Sequence, residues 1–294
     1  MWQNYLGKGS AFLIGGSANV CYDKLIELLG GPRQAKIVIL THASELPDAG
    51  REIAQEFWQR GVPDSFITWI GPGEALKIPI GFKCAFFCGG NQRGIMAHLT
   101  RDDKEVLKKF LFQGGMLAGN SAGVPVFSEL MIAGGSPLVV NCALEYGPGL
   151  NIIPGIFFDM HFAERMRHRR AVTAIGQFFK YQPDLIGIDE DTGLYIQSNG
   201  LATVMGYSGV HVYRATADFS TDLDLLSFKK YLQVDFAKQL AAENDSTEIA
   251  FVDPQRPACD KSFFLNAIGL NYSALGAGAT IDLATWRIKL PKSR

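Results

Sequence analysis

The sequence predicts an α/β fold in which helices cover both faces of a three-layer, doubly wound, mostly parallel sheet. Three observations lead to this prediction. Short runs of β-branched and aromatic residues alternate with longer amphipathic stretches along the chain. Most of the short runs are too apolar for strands that face water. The chain has 294 residues, of which 47% are hydrophobic and 19% charged, which is enough apolar material for a large core.

Each predicted element follows from its local pattern. The strand candidates are short apolar or β-branched runs at 11–14, 36–40, 65–69, 84–88, 116–118, 185–188, 194–197 and 203–207. The helix candidates carry apolar residues at helical spacing, at 20–29, 49–59, 94–100, 104–113, 124–130 and 163–180. Because helices separate most of the early strands, right-handed crossovers place them on both faces of one sheet. Folds of this kind hold their functional sites at the carboxyl ends of the strands.

The remaining segments of the sequence do not indicate a second domain. No internal repeat or low-complexity linker is visible, so residues 1–294 are interpreted as one α/β domain. Residues 216–247 are more polar, with an amphipathic pattern at 223–240, which indicates a surface addition or the contact element of a homodimer. Residues 277–288 predict a final strand and turn that covers an edge of the sheet.

The composition narrows the classes of function. With 28 basic and 29 acidic residues the net charge is −1, so neither a nucleic-acid nor a membrane partner is expected. No apolar run reaches the roughly 20 residues that span a bilayer, and the N-terminus lacks a secretory signal, so we expect a cytoplasmic protein. The five cysteines are odd in number and lack metal-ligand spacing. We therefore expect no disulfide framework, no metal and no cofactor.

The segment Gly119-Asn120-Ser121-Ala122-Gly123 follows an apolar run and has the pattern Gly-x-Ser-x-Gly. Such a turn between strand and helix strains the backbone so that the serine hydroxyl projects clear of the sheet. The glycines are needed where the turn leaves no room for a Cβ. The alternative is a tight turn in which Ser121 only caps the next helix.

A second glycine-rich loop, Gly89-Gly90-Asn91-Gln92, follows the predicted strand at 84–88. Its backbone N–H groups could approach a ligand at the strand end and supply the second donor of an oxyanion hole. The alternative is an ordinary turn into the next helix. Thr41-His42-Ala43-Ser44 is a third polar loop at the end of a strand.

A histidine suited to act as a base lies in Asp159-Met160-His161-Phe162, which is predicted to open a helix rich in arginine. Histidine has the pKa best suited to take a proton from serine near neutral pH. In a regular helix, His161 and Arg165 share one face whereas Arg167 and Arg170 share another. A lone histidine is also common as a structural hydrogen-bonding group, so its position alone does not decide its role.

Three consecutive carboxylates, Asp189, Glu190 and Asp191, follow the strand predicted at 185–188. A base histidine needs a carboxylate that fixes its tautomer and stabilises the imidazolium. Because side chains alternate along a strand, Asp189 and Asp191 point one way and Glu190 the other, so only one face can meet His161. The alternative is an acidic turn exposed to water.

Together, these four motifs resemble those of the cyanophycinase and dipeptidase E-like serine peptidases, in the family's order. The resemblance covers about 9–213 and 283–285 and implies a fold similar to the class I glutamine amidotransferases, with flavodoxin-like architecture. It implies Ser121 as nucleophile, His161 as base and Glu190 as the acid that orients it. It further implies oxyanion donors from Ala122, Gly90 and Asn91, and substrate contacts from Gln92, Asp159, Arg165, Arg167 and Arg170.

The substrate-facing neighbours depart from the family. Cyanophycinases typically have aspartate at the position of Asn91, threonine at that of Asn120 and glutamine at that of Met160. The resemblance implies a serine-type exopeptidase that forms an acyl-enzyme. Because guanidinium groups pair with carboxylates, we expect an aspartyl or β-aspartyl peptide substrate, with the polyaspartate-type polymer cyanophycin as one candidate.

Two other functions stay open. An esterase of the α/β-hydrolase type needs the order serine, acid, histidine, which Ser121, Asp184 and His211 would supply. A non-catalytic ligand-binding relative would keep the serine turn for its structure alone. A glutamine amidotransferase is disfavoured because its nucleophile is cysteine.

Overall fold

The computed structural model describes residues 3–135, 144–178, 181, 183–215 and 270–291. The strands of these residues are β1 (Ser10–Ile14), β2 (Ile37–Leu40), β3 (Ile67–Ile70), β4 (Cys84–Phe87), β5 (Met116–Asn120), β6 (Leu130–Gly134), β7 (Glu145–Pro148), β8 (Ile156–Met160), β9 (Asp184–Ile188), β10 (Thr192–Ile196), β11 (Leu201–Gly206), β12 (Val210–Ala215), β13 (Leu270–Leu275), β14 (Thr280–Asp282) and β15 (Arg287–Lys289). The helices are α1 (Gln3–Leu6), α2 (Asn19–Leu28), α3 (Ala49–Gln59), α4 (Gln92–His98), α5 (Arg101–Phe112) and α6 (His168–Gln177).

The central sheet has nine strands in the order β15-β14-β11-β10-β1-β5-β4-β2-β3. The five strands from β1 to β3 in this order pair in parallel. On the other side of β1, the pairs that continue the sheet to β15 are antiparallel. Because β11 and β15 thus point the same way as β1, only β10 and β14 run against the rest. The predicted mostly parallel α/β sheet is confirmed.

Two apolar clusters cover the two faces of this sheet and make it the middle of three layers. On one face, α2 and α3 contribute Leu25 and Phe57, which pack with Phe86 of β4. On the other face, α5 contributes Leu107 and Leu111 to a larger cluster that includes Phe87. Neighbouring residues of β4 therefore lie on opposite faces, as the strand period of two requires. The near-continuous apolar strands result from this burial on both faces.

A second sheet of four strands, β13-β12-β9-β8, contains the segment that leads to the acidic motif. In it, β8 and β9 pair in parallel, so that they end at the same edge. Phe158 of β8 and Ile186 of β9 belong to the same apolar cluster as Phe87 of the central sheet. The strand predicted at 185–188 exists as β9, but it lies in this second sheet.

Two predicted helices differ from the structure. The helix at 124–130 is wrong: only a 3-10 turn forms at Pro125–Phe127, and Leu130 already begins β6. The helix at 163–180 begins only at His168, because the Arg167 N–H bonds to the Phe162 carbonyl in a turn that includes Met166 at φ +49°. The expectation that His161 and Arg165 share a face of a regular helix is therefore wrong.

The remaining predictions divide into those confirmed and those not tested. Helix α3 has the predicted bounds, and β14 and β15 form the predicted final edge of the central sheet. The predicted surface addition at 216–247 lies outside the described residues, and the single domain stays a prediction. None of the helices in the described ranges has the length and apolar character needed to cross a bilayer. The cytoplasmic location stays a prediction.

Candidate active site

Ser121 lies directly after β5, where the chain turns sharply into a 3-10 segment. Its φ of +50° is in the left-handed region that non-glycine residues rarely adopt. Glycine is needed on both sides of Ser121 because the backbone packs closely there. A Cβ on Gly119 would lie 2.1 Å from the Gly123 carbonyl oxygen, and one on Gly123 would lie 2.6 Å from the Phe87 carbonyl oxygen. The local geometry is that of the strained turn expected for a nucleophilic serine.

His161 follows β8 and faces this serine. Its Nε2 lies 2.7 Å from Ser121 Oγ. Its backbone N–H donates to the Gly15 carbonyl at 2.7 Å, and its φ is +46°. The imidazole packs on Gly16, where a Cβ would lie 2.1 Å from His161 Cε1. The turn after β1 thus holds the ring at the nucleophile.

Glu190 lies between β9 and β10 and contacts the other side of the imidazole. Its Oε1 lies 2.5 Å from His161 Nδ1, and its Oε2 accepts a hydrogen bond from Ser17 Oγ at 2.7 Å. A hydrogen-bonded chain therefore runs from Ser121 through His161 to Glu190 and Ser17.

The surroundings favour a neutral His161 and an ionised Glu190. Burial lowers the pKa of His161 below its ordinary value of 6.5, although the hydrogen bond to Glu190 partly opposes this shift. The pKa of Glu190 is lowered mainly by the hydrogen bond from Ser17, with a further contribution from His161. With the ring neutral and its proton on Nδ1 toward Glu190, Nε2 accepts from the serine hydroxyl.

The glycine-rich loop after β4 runs beside the nucleophile. A Cβ on Gly89 would lie 3.4 Å from Ser121 Cβ, and Gly90 has a φ of +137°. The backbone N–H of Asn91, a predicted oxyanion donor, is engaged elsewhere. Its N–H donates to the Ala43 carbonyl at 2.8 Å, and its side chain accepts from Arg93 N–H at the start of α4. Gly90 and Ala122 therefore remain as the predicted oxyanion donors.

Three predicted substrate-contact residues pair with one another. Asp159 has no exposed surface, and its carboxylate forms ion pairs with Arg167 and with Arg170, whose Nε lies 3.1 Å from Asp159 Oδ2. Both arginines are buried as well. These side chains form a buried charged cluster under the turn after β8.

The two other predicted contacts differ in exposure. Gln92 is buried, and its Nε2 donates to the carbonyls of Ile132 at 3.2 Å and Ala133 at 3.0 Å. Arg165 is exposed on the turn that carries His161. Its positive charge lowers the pKa of both His161 and Glu190, although it is a smaller cause than burial or hydrogen bonding. Of these five residues, Arg165 is the one with an accessible guanidinium.

The esterase alternative does not match the geometry. Both imidazole nitrogens of His211 are occupied, Nε2 at 3.0 Å from Asp189 and Nδ1 at 2.8 Å from the Tyr272 hydroxyl. Asp184 pairs with Arg214 at 3.3 Å. His211 therefore cannot serve as the base of Ser121, and that set of residues is not brought together.

The sequence interpretation missed two contributions to this site. The segment Gly15-Gly16-Ser17 ends β1 at the edge where Ser121 lies, and its glycine pair after an apolar strand could have revealed it. The other is the Ala43 carbonyl, which holds the loop that follows β4 through Asn91. Among the described residues, no group of three or more His, Cys, Asp and Glu side chains is arranged to hold a metal ion.

Several known proteins are similar to this chain. It is 30% identical over 257 residues to the cyanophycinase of Synechococcus elongatus, an alignment that covers 81% of this chain and 75% of that protein. It is 39% identical over 231 residues to the cyanophycinase of Geminocystis herdmanii (strain PCC 6308), covering 71% and 82%. No protein-family model matches the chain.

Solved structures with similar folds were also found. A peptidase from an acI-B1 Actinobacterium aligns with a TM-score of 0.47 at 21% identity, covering 71% of this chain and 91% of that chain. A putative peptidase E protein from Listeria monocytogenes EGD-e aligns with a TM-score of 0.48 at 13% identity, covering 68% and 99%.

Proposed function

Because this chain belongs to the cyanophycinase family and is a peptidase, we propose that it hydrolyses its substrate through a catalytic triad of Ser121, His161 and Glu190. One observation carries the proposal: hydrogen bonds of 2.7 Å and 2.5 Å join these three side chains in the order that nucleophilic catalysis needs.

The first half-reaction forms an acyl-enzyme. Ser121 Oγ attacks the carbonyl carbon of the scissile amide while His161 Nε2 takes the hydroxyl proton. The C–N bond then breaks, and the imidazolium returns this proton to the leaving amine. Glu190 stabilises the positive charge on the ring in between and is not itself protonated.

The second half-reaction regenerates the serine. His161 takes a proton from water as the water oxygen attacks the acyl carbon, and the proton then passes to Ser121 Oγ when the ester bond breaks. In both halves the carbonyl oxygen becomes negative. The N–H groups of Ala122 and Gly90 are the proposed donors to this oxygen, since Asn91 N–H already binds Ala43.

For the substrate, we propose an aspartyl or β-aspartyl peptide, with cyanophycin as one candidate. Arg165 supports this choice because an exposed guanidinium on the turn that carries His161 suits a substrate carboxylate. The relatives named cyanophycinase support the same class. The buried pairing of Asp159 with Arg167 and Arg170 leaves Arg165 as the main contact for that carboxylate among the predicted arginines.

The nucleophile is tested by Ser121→Ala together with labelling by a fluorophosphonate. We expect the wild-type protein to be labelled at Ser121 and to lose activity, and the variant to be unlabelled, inactive and equally stable. Labelling that fails in an active protein, or a variant that keeps most of its turnover, would refute the triad. A wild-type protein that neither reacts with the probe nor cleaves peptides would favour the ligand-binding alternative.

The substrate class is tested by competition among cyanophycin, β-aspartyl-arginine, α-aspartyl dipeptides and neutral peptides. We expect the acidic peptides to be cleaved preferentially, and Arg165→Ala to reduce that preference mainly through KM. Arg51→Ala, which changes an exposed arginine of α3, is the control for loss of surface charge. Equal turnover of neutral peptides that is insensitive to Arg165→Ala would reject this substrate class.

A further inference from the structure

Ser17 occupies an unusual place beside the acid of the proposed triad. It is an exposed residue in the turn between β1 and α2, and its φ is +43°. A non-glycine residue in this region is strained and persists only where the surroundings hold it. Glycine would adopt the same conformation without that strain. The strain therefore calls for a compensating role of the serine side chain.

The turn that contains Ser17 is bound to His161 and to Asp191, the residue that follows Glu190. The Gly15 carbonyl accepts from His161 N–H at 2.7 Å, and the Gly16 carbonyl accepts from Asp191 N–H at 2.9 Å. These bonds fix the backbone next to the base and next to the acid. Ser17 is the next residue in the chain, and its side chain lies beside Glu190.

The Ser17 hydroxyl completes the coordination of the carboxylate. Glu190 Oε1 lies 2.5 Å from His161 Nδ1, and Oε2 accepts from Ser17 Oγ at 2.7 Å. With both oxygens engaged, rotation of the carboxylate about its last torsion would break both bonds at once. We infer that Ser17 is a positioning residue for this reaction, which holds the Glu190 carboxylate in line with His161. This inference rests on the proposed function.

The charged groups around Glu190 set the direction of a pH effect. Among the described residues they are Arg165 and the titratable His161 on the turn after β8, Glu164 of that turn, whose carboxylate accepts from Glu190 N–H at 3.2 Å, and the neighbouring Asp191. The Ser17 hydrogen bond is the largest of the causes that lower the pKa of Glu190. Its removal raises that pKa and leaves the carboxylate a stronger acceptor for His161, which raises the pKa of the ring. Both changes move the acid limb of the pH profile to higher pH.

The experiment compares Ser17→Gly with Ser17→Ala. Both variants lack the hydroxyl, but only glycine also relieves the strained backbone. We expect kcat to fall about tenfold in both, with little change in KM, and the acid limb of kcat to move to higher pH. We expect Ser17→Gly to melt at or above the wild-type temperature. Ser17→Asn, which tolerates this backbone and restores a donor, should recover part of the activity.

Asn151→Gly is the matched control, because Asn151 is another exposed residue with positive φ, at +54°, in the loop before β8. It should gain stability without a change in kcat or in the pH profile. The inference is overturned if Ser17→Gly keeps the wild-type kcat, or if kcat falls without a shift of the acid limb. Ser121→Ala, measured in parallel, separates the two proposals: if it stays active the triad itself is wrong, whereas an inactive Ser121→Ala beside a fully active Ser17→Gly refutes only the role of Ser17.

Discussion

At the scale of single residues, the protonation of His161 should limit activity in acid. Burial lowers the pKa of its ring below 6.5, and a base must be neutral to accept the serine proton. The acid-side midpoint of kcat/KM is therefore expected below pH 6.5, with a drop of about tenfold per pH unit below that midpoint. A pH profile of kcat/KM checks this, and a midpoint above 6.5 would contradict it.

Glu190 and Asp189 are neighbours with different tasks, so their isosteric amides should fail differently. Glu190→Gln removes the charge that stabilises the imidazolium and should lower kcat by about three to four orders of magnitude, with little effect on stability. Asp189 is buried, pairs with His211 and accepts from Ala163 N–H at 2.9 Å. Asp189→Asn should therefore lower the melting temperature more than Glu190→Gln does, but reduce kcat far less.

Kinetics and thermal melting of the two variants, measured side by side, decide this prediction. Equal losses of kcat would show that the carboxylate of Asp189 also serves the chemistry. The esterase alternative would instead require Asp184→Asn and His211→Ala to be the most damaging changes.

At the scale of elements, the turn after β1 has no room for a Cβ at Gly16, where the His161 ring packs. Gly16→Ala would place a Cβ 2.1 Å from His161 Cε1 and at a φ of +131°. The ring has to move, and we expect kcat to fall by about a hundredfold or more because a displacement near 1 Å has effects of this size.

Gly31→Ala supplies the control for Gly16→Ala. Gly31 also has a positive φ, at +93°, but a Cβ there meets no atom within 4 Å. It should lose stability through backbone strain and keep its kcat. Activity assays and melting curves of both variants distinguish the clash from the strain, and a similar loss of kcat in both would contradict the explanation.

The elements that sequence patterns predicted well are those with a local cause. Helix α3 has an apolar stripe of helical period, and β1, β2, β4 and β5 of the central sheet are buried apolar runs. The helix expected at 124–130 fails because Leu130 pairs instead with Pro148 in a ladder, a partner that local periodicity does not reveal. The strand β8 was missed for the same reason, since its pairing with β9 joins residues far apart in sequence.

The candidate site divides in the same way. Ser121 and His161 stand in motifs whose residue types carry the chemistry, and the family resemblance selected Glu190 from three consecutive carboxylates. The ion pairs of Asp159 with two arginines depend on burial under a turn, and the hydroxyl of Ser17 depends on a meeting of distant loops. These contacts arise from tertiary packing, and local sequence patterns do not predict them.

At the scale of the whole molecule, we expect the face of the central sheet covered by α2 and α3 to contribute to stability more than to catalysis. Phe86 packs with Tyr22 and Phe57, at ring-centroid distances of 5.8 and 5.7 Å, on the face opposite Phe87 and Phe127. Phe86→Ala should lower the free energy of unfolding by about 3–5 kcal/mol. Urea unfolding measures that change, and kcat per fluorophosphonate-reactive site should stay at the wild-type value. A lower kcat per reactive site would show that the two faces are coupled.

The proposed nucleophile follows β5 of the nine-stranded sheet, whereas the proposed base follows β8 and the proposed acid follows β9 of the four-stranded sheet. If these three residues form the triad, activity depends on how the two sheets pack together. We therefore expect local opening of the smaller sheet to abolish activity while most of the secondary structure remains. In dilute denaturant, turnover should disappear before the far-ultraviolet circular dichroism signal does, and the amides of β8 and β9 should exchange with deuterium earlier than those of β4 and β5.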